Sequence, residues 1–191
     1  TAVAQMRTNP LAREDFSDPV ALTVGLFCNW SLDTRQLSAL LSERLDIAVI
    51  RGMDIPPPPA GIMALETDNG RVEIPLSEIK PLIPQSCFIC PDMTSEFSDL
   101  SVGMFEGQPG WNTLVIRSKP GARLVTSACD EGYLETKDLP PESIAQLTRA
   151  AGEKKARALR MLIRRKLINN ENGERSALRM PPDVVEKILT Y

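Results

Sequence analysis

The most informative absence in this chain of 191 residues is histidine, of which there is none. Histidine is the side chain that most often serves as a general base and as a metal ligand near neutral pH. Its absence excludes the Ser-His and Cys-His arrangements of nucleophilic enzymes. Any bound metal must therefore be held by thiolates or carboxylates, and the chemistry must come from a cofactor or from Asp, Glu, Lys and Tyr side chains.

The chain also lacks a long apolar run, a signal peptide and a large excess of charge. No stretch of about 18 apolar residues occurs, so we expect no transmembrane helix. The opening residues, TAVAQMRTNP, have neither the basic nor the apolar region of a secretory signal. A formal net charge of -3 argues against nucleic acid or an anionic membrane as a partner. These features predict a cytoplasmic protein.

The overall composition is typical of a globular protein, since 42% of the residues are apolar and 25% are charged. An apolar run at 20–28 predicts a strand that is buried on both faces and ends at Cys28. The Ser31-x-Asp33 motif predicts the start of an amphipathic helix, and residues 46–50 predict a second strand. We therefore expect a strand-helix-strand unit at the core of an α/β layer.

The remaining periodic segments extend this α/β pattern. Asn69-Gly70 is a typical hairpin turn between two strand-like segments. The helical segment from about residue 143 to 169 has a strongly basic middle, which would suit nucleic acid or a membrane. The acidic whole chain and its few aromatic residues favour instead a helix that is solvated or contacts another subunit. Strands are predicted at 63–66, 71–76, 112–117, 123–129 and 133–137, and short helices at 77–82 and from Pro181 onward.

The segment Ser86–Trp111 repeats with neither a helical nor a strand period, and it contains a Cys-x-x-Cys motif. Thiols at the spacing of Cys87 and Cys90 can bind one metal centre from a tight turn. Cys28 could join them, which leaves the set one short of a four-cysteine zinc or iron-sulfur site. Cys129 could be the fourth ligand, but it lies within a predicted segment and has no partner at chelating spacing, which favours a buried, inert thiol.

Two further interpretations of this segment remain open. A thioredoxin-like redox pair would normally begin a helix, whereas Pro91 follows the motif here. The polar residues after Cys90 could form a solvated loop. Small residues interleaved with apolar ones, ending in Gly110-Trp111, are also typical of a loop that approaches a flat ligand. Trp111 offers a stacking face, although packing is the commoner role of tryptophan.

An ordered set of motifs resembles the family of coenzyme F420 hydrogenase/dehydrogenase beta subunits. The resemblance covers about residues 1–138, and the residues that carry it are Val24–Cys28, Cys87-Phe-Ile-Cys90-Pro-Asp92, Glu96, Asp99–Gly103 and Gly110–Arg117. The family includes the flavin subunits of F420-reducing hydrogenase and of F420-dependent formate dehydrogenase.

The resemblance implies an oxidoreductase subunit that passes electrons between a 4Fe-4S cluster, FAD and coenzyme F420. It implies cluster ligation by Cys28, Cys87 and Cys90, and we expect the remaining ligand and much of the FAD site to lie upstream of Thr1. The implied partners are the catalytic and iron-sulfur subunits of a hydrogenase or formate dehydrogenase complex. No catalytic side chain is implied, because cofactors carry the chemistry.

The expected fold is α/β, with a mixed sheet, flanking helices, an irregular iron-sulfur loop and a C-terminal helical tail. Residues 1–138 would form the C-terminal part of the family domain, and residues 139–191 the tail. The residues predicted to contact the flavin or deazaflavin are Asp92, Thr94, Ser101, Gly103, Gly110 and Trp111. The alternatives are reduction of another acceptor by the same fold, or a zinc-stabilised interaction module.

Overall fold

The computed structural model describes residues 20–56, 59–105, 108–168 and 182–190. The described residues divide into two compact units. The inserted unit is Trp30–Phe88, and the main unit comprises the residues up to Asn29 together with those from Ile89 onward. No helix among the described residues is long and apolar enough to cross a membrane.

Helices and strands occur in both units, and the predicted α/β class is confirmed. In chain order the elements are β1 (Val24–Leu26), α1 (Thr34–Ser42), β2 (Ile50–Asp54), β3 (Ile62–Thr67), β4 (Gly70–Pro75), α2 (Leu76–Ile79), β5 (Leu100–Met104), β6 (Asn112–Ile116), α3 (Lys119–Asp130), α4 (Pro141–Arg164) and α5 (Pro182–Thr190). Short 3-10 helices lie at Ile47–Val49, Lys80–Leu82 and Gln85–Ile89.

The inserted unit is an antiparallel sheet in the order β2-β3-β4, packed with α1 and α2. The predicted hairpin is confirmed: β3 and β4 pair from Ile62 with Pro75 to Thr67 with Gly70. Gly70 has a φ of +109°, a backbone conformation that glycine adopts without steric cost. The buried core of this unit consists of Leu41, Met63, Leu65, Ile74 and Ile79.

Helix α1 begins at a side-chain cap that the sequence predicted. The Asp33 carboxylate accepts hydrogen bonds from the N–H groups of Arg35 and Gln36, at 3.0 and 3.1 Å. We expect Asp33→Ala to lower the free energy of unfolding by about 1 kcal/mol, because these N–H groups lose their acceptor. Urea unfolding of the variant measures this loss. Asp33→Asn is the control, since its amide oxygen can still accept, and an equal loss in both variants would contradict the cap.

The main unit contains the mixed sheet, in the order β1-β5-β6. β1 runs parallel to β5, and β6 runs antiparallel to β5. Helix α4 packs with α5 around a small core of Leu159, Leu162, Ile168 and Val185. The mixed sheet, the flanking helices and the C-terminal helix were all predicted and are confirmed.

The predicted strand-helix-strand unit is wrong. β1 pairs with β5, and the segment predicted as the second strand is mostly a 3-10 turn, Ile47–Val49, that leads into β2 of the other sheet. β1 is also not buried on both faces, since Val24 and Leu26 are 55% and 71% exposed. Among the described strands it lies at the edge of its sheet, with β5 as its neighbour, so its apolar run did not indicate a central position there.

Residues 123–129 were predicted to be a strand, but they lie in helix α3. The Ser118 hydroxyl accepts a hydrogen bond from the N–H of Gly121 at 3.2 Å, and a proline in the first turn suits the start of a helix. Residues 133–137 form no strand. Conversely, the segment expected to be wholly irregular contains β5, whose alternate residues are small.

Candidate metal and cofactor site

One face of the main sheet carries small residues that allow other segments to pack closely. Gly25 pairs with Ser101 across β1 and β5, and Gly103 lies further along β5. A Cβ atom at Gly25 would lie 2.2 Å from the Cβ of Ser95, and one at Gly103 would lie 1.8 Å from the Phe27 ring. The sheet therefore accommodates Phe27, which precedes Cys28, and Ser95, in the segment after Cys90, only because these glycines lack side chains.

The loops that carry Cys28 and Cys90 run side by side on the main unit. The N–H of Cys28 donates to the carbonyl of Met93 at 2.8 Å, and the thiol of Cys90 lies 3.7 Å from the carbonyl oxygen of Asp92. Cys28 is exposed and Cys90 is partly buried. The two cysteines are thus held on adjacent stretches of backbone, as a shared metal centre would require.

A lysine of α4 ties both loops to the C-terminal helix. Lys154 is only 3% exposed, and its ammonium donates to the carbonyls of Cys28 at 2.5 Å and Asp92 at 2.8 Å. The next residue, Lys155, forms an ion pair with Glu96 at 2.5 Å. The predicted tail is therefore in direct contact with the cysteine loops.

Cys87 and Cys129 lie in other surroundings. Cys87 belongs to the inserted unit, where the N–H and hydroxyl of Ser31 lie 3.5 and 3.3 Å from its sulfur. Cys129 lies on α3, partly buried, with its sulfur 3.9 Å from the hydroxyl of Thr136. In the described part of the chain, no group of three or more Cys, Asp or Glu side chains is arranged to hold a metal ion. Ligation by all three predicted cysteines stays a prediction.

The donor chemistry of the main unit nonetheless suits an iron-sulfur cluster. All four cysteines are thiols, and no disulfide joins them. Soft thiolate ligands select iron-sulfur clusters and zinc over harder cations. Cys28 and Cys90 therefore fit two of the ligand positions that the sequence predicts.

Three of the predicted flavin contacts, Asp92, Thr94 and Ser101, use their side chains within the protein. Asp92 accepts a hydrogen bond from the N–H of Glu96 at 3.1 Å. Thr94 and Ser101 are buried, and the Arg117 guanidinium donates to both hydroxyls, at 3.0 and 2.8 Å, and to the Thr94 carbonyl at 2.9 Å. These contacts fix the segment after Cys90 against β5 and β6. Direct ligand contact by these residues stays a prediction.

Gly110 and Trp111 lie at a different place, on a cavity of about 750 Å³. Its walls are mainly apolar side chains of β5, β6 and α3, including Val102, Leu114, Ile116 and Leu124. Gly110 has a φ of +83° in the turn before β6, and Lys137 lies 3.8 Å from the centroid of the Trp111 ring. The volume is in the usual range for cofactor pockets. Gly103 does not line this cavity, because it faces Phe27.

A second cavity, of about 380 Å³, lies beside the cysteine loops. Phe27 and Met93 line it on one side, and Arg149 and Glu153 of α4 line it on the other. Its walls are more polar than those of the larger cavity. Helix α4 thus contributes to a cavity next to the cysteines as well as to their anchoring.

Sequence reasoning missed Lys154, Arg117 and Ser31 as residues that support the site. For Lys154 a signal was available, since it lies three residues after Ala151 and four before Ala158 on the apolar stripe of α4. A charged residue at a buried helical position needs specific partners. The surrounding basic run concealed it.

Comparison with known proteins gives the family of the chain. The sequence model that describes the C-terminal part of the coenzyme F420 hydrogenase/dehydrogenase beta subunit matches residues 1–142. The chain belongs to this family. The resemblance inferred from the cysteine and glycine motifs is therefore confirmed.

The chain is also similar to individual members of this family. The coenzyme F420 hydrogenase subunit beta of Methanosarcina barkeri is 28% identical over 141 residues, which are 72% of this chain and 47% of that protein. A subunit of the F(420)H(2) dehydrogenase of Methanosarcina mazei is 30% identical over 125 residues, which are 63% of this chain and 35% of that protein. The chain thus spans about half or less of the length of these relatives.

The fold also matches a chain in a solved structure. A chain in the structure of the F420-reducing NiFe hydrogenase complex from Methanosarcina barkeri superposes with a TM-score of 0.74 and 26% identity. The match covers 92% of this chain and 61% of that one. Because 92% of the chain is covered, the match extends beyond the 142 residues of the family model and into α4.

Proposed function

We propose that this chain is part of a redox subunit that passes electrons between a 4Fe-4S cluster, FAD and coenzyme F420. The observation that carries the proposal is the adjacency of the Cys28 and Cys90 loops in a chain of this family. A cluster and a flavin together supply the conversion between one-electron and two-electron transfer. That chemistry needs no histidine, and the chain has none.

The proposed cluster ligands are Cys28, Cys87 and Cys90. A 4Fe-4S cluster usually has four thiolate ligands, so one more must come from outside this set. Lys154 and the Cys28–Met93 hydrogen bond hold the backbone of Cys28 against the segment just after Cys90. The Ser31 N–H next to the Cys87 sulfur is of the kind that tunes cluster potentials.

The proposed flavin site is the cavity beside Gly110 and Trp111. The indole ring offers a flat apolar face, and the walls of β5, β6 and α3 would exclude water from a bound ring system. Asp92, Thr94, Ser101 and Gly103 would act mainly by holding the intervening segment in place. In this proposal the sheet carries the flavin cavity and the cysteine loops within one unit.

The proposed partners are the other subunits of a hydrogenase or formate dehydrogenase complex in the cytoplasm, where thiols persist. The names of the relatives support coenzyme F420 as one reactant, since F420 appears in the names of both the hydrogenase and the F(420)H(2) dehydrogenase. One name is that of a hydrogenase and the other that of an F(420)H(2) dehydrogenase, so the two names do not agree on the second reactant. Reduction of another acceptor by this fold is therefore the alternative within the proposal.

Cofactor analysis of the protein that contains this chain tests the proposal. We expect a brown protein with bound flavin and about four iron and four sulfide per cluster, as the cluster type requires. Anaerobic addition of reduced coenzyme F420 should bleach the flavin absorbance. A colourless protein that contains zinc and no flavin would contradict the proposal and favour a structural zinc module. Bound flavin that F420 cannot reduce would favour another acceptor.

A further inference from the structure

We propose that Lys154 has two roles. It positions the loops that carry Cys28 and Cys90, and it supplies a fixed positive charge beside them. Its role in the geometry of the loops stands on the structure alone. Its electrostatic role rests on the proposed function, because it concerns the cluster that Cys28 and Cys90 would hold. The proposal also gives the C-terminal helix a function, since α4 supplies the residue.

Lys154 joins two segments of backbone by a pair of hydrogen bonds, which we call the clamp. Its ammonium bridges the carbonyls of Cys28 and Asp92, two segments that are far apart in the sequence. At 3% exposure, water cannot replace the ammonium as donor without opening the site. Together with the bond from Cys28 to Met93, the clamp holds the backbone of Cys28 against the Asp92-Met93 segment that follows Cys90.

Packing alone does not explain a lysine at this position. The buried neighbours on the same stripe of α4 include Ala158 and Leu162, and an apolar residue would complete the stripe. Burial of an ammonium is unfavourable unless specific acceptors compensate for lost hydration. The adjacent Lys155 shows the ordinary arrangement, a partly exposed ion pair with Glu96. Among the described residues, Lys154 instead donates to the neutral carbonyls of Cys28 and Asp92, so its charge is not paired with a carboxylate there.

A retained positive charge favours the more negative state of a neighbouring group. For thiolate ligands it lowers the electrostatic cost of gathering negative sulfurs. For a cluster it stabilises the reduced form and raises the reduction potential. Lys154 would therefore affect both cluster retention and electron transfer without touching the iron.

The first test measures the loops in the cofactor-free protein. In Lys154→Met, the amide of Cys28 should exchange with deuterium about tenfold faster or more, because its loop has lost the clamp. Lys155→Met is the matched control, and its Cys28 amide should exchange at the wild-type rate. Should Lys154→Met fail to fold, Lys154→Gln is measured instead, since its shorter neutral side chain cannot reach both carbonyls. Wild-type exchange at Cys28 in a folded variant overturns the proposal.

The second test measures the reduction potential of the cluster by redox titration. Lys154→Met should shift the potential to a more negative value, Lys154→Arg should restore it, and Lys155→Met should change it least. Equal potentials in all variants overturn the electrostatic role. The two proposals can fail separately. If neither the wild type nor any variant binds iron, but Lys154→Met still speeds exchange at Cys28, the proposed function is wrong and the role of Lys154 in holding the loops stands.

Discussion

The Cys90→Ser variant is expected to lose the iron-sulfur absorbance and nearly all of its iron. Cys90 lies beside the Cys28 loop and would supply one of the thiolates of the proposed cluster. A serine hydroxyl is a hard donor that stays protonated near neutral pH, so it replaces a thiolate poorly. Iron and sulfide per chain, together with the visible spectrum of protein purified without oxygen, measure the loss.

Cys129→Ser is the matched control for this experiment. It makes the same chemical change on α3, where the sulfur contacts Thr136, and it should retain the iron of the wild type. Full iron content in Cys90→Ser would contradict the proposed ligand. If iron is lost in Cys28→Ser and Cys90→Ser but not in Cys87→Ser, then Cys28 and Cys90 remain proposed ligands and Cys87 is removed from the ligand set.

Local signals account for the elements that were predicted correctly. The Asn69-Gly70 pair marked the hairpin, although the two residues between the paired Thr67 and Gly70 are Asp68 and Asn69, and Gly70 begins β4. The start of α1 followed from the Asp33 side chain in the same way. Each of these signals acts over a few residues, so a short stretch of sequence contains all of it.

Pairing between distant segments could not be derived from the same kind of signal. The apolar run that ends at Cys28 looked like a central strand, yet β1 is an edge strand whose partner β5 follows after the whole inserted unit. Helix α3 was missed for a different reason. The sequence does contain its Ser118 cap and first-turn proline, but residues 123–129 were predicted to be a strand from their strand-like pattern.

The sequence predicted the cysteines of the candidate site but not the residues that hold their loops in place. Spacing alone indicated Cys87 and Cys90, whereas Lys154 is one of many basic residues in its helix. Only the fold shows that its ammonium reaches the carbonyls of Cys28 and Asp92. Glycine motifs were interpreted as ligand contacts, but for Gly103 the structure gives another reason, the ring of Phe27.

The Gly103→Ala variant tests that reason and should be strongly destabilised. The added methyl group would lie 1.8 Å from the Phe27 ring and 2.7 Å from the Phe27 Cβ, so the whole side chain must move. Overpacking of this kind typically lowers the free energy of unfolding by about 1–3 kcal/mol. In a chain of this size each kcal/mol corresponds to about 2–4 °C in Tm, which thermal unfolding resolves. Because Phe27 precedes Cys28, the variant should also retain less iron.

Two comparisons separate a clash with Phe27 from loss of a ligand contact. Gly52→Ala is the matched control in β2, where the nearest atom to the new methyl is 3.8 Å away, and it should be neutral or slightly stabilising. Phe27→Ala removes the ring, so adding Gly103→Ala to it should cost much less than in the wild type. An equal cost in both backgrounds would show that Phe27 is not the reason for glycine at position 103. In that case a bound ligand becomes the better explanation, as the sequence motif first suggested.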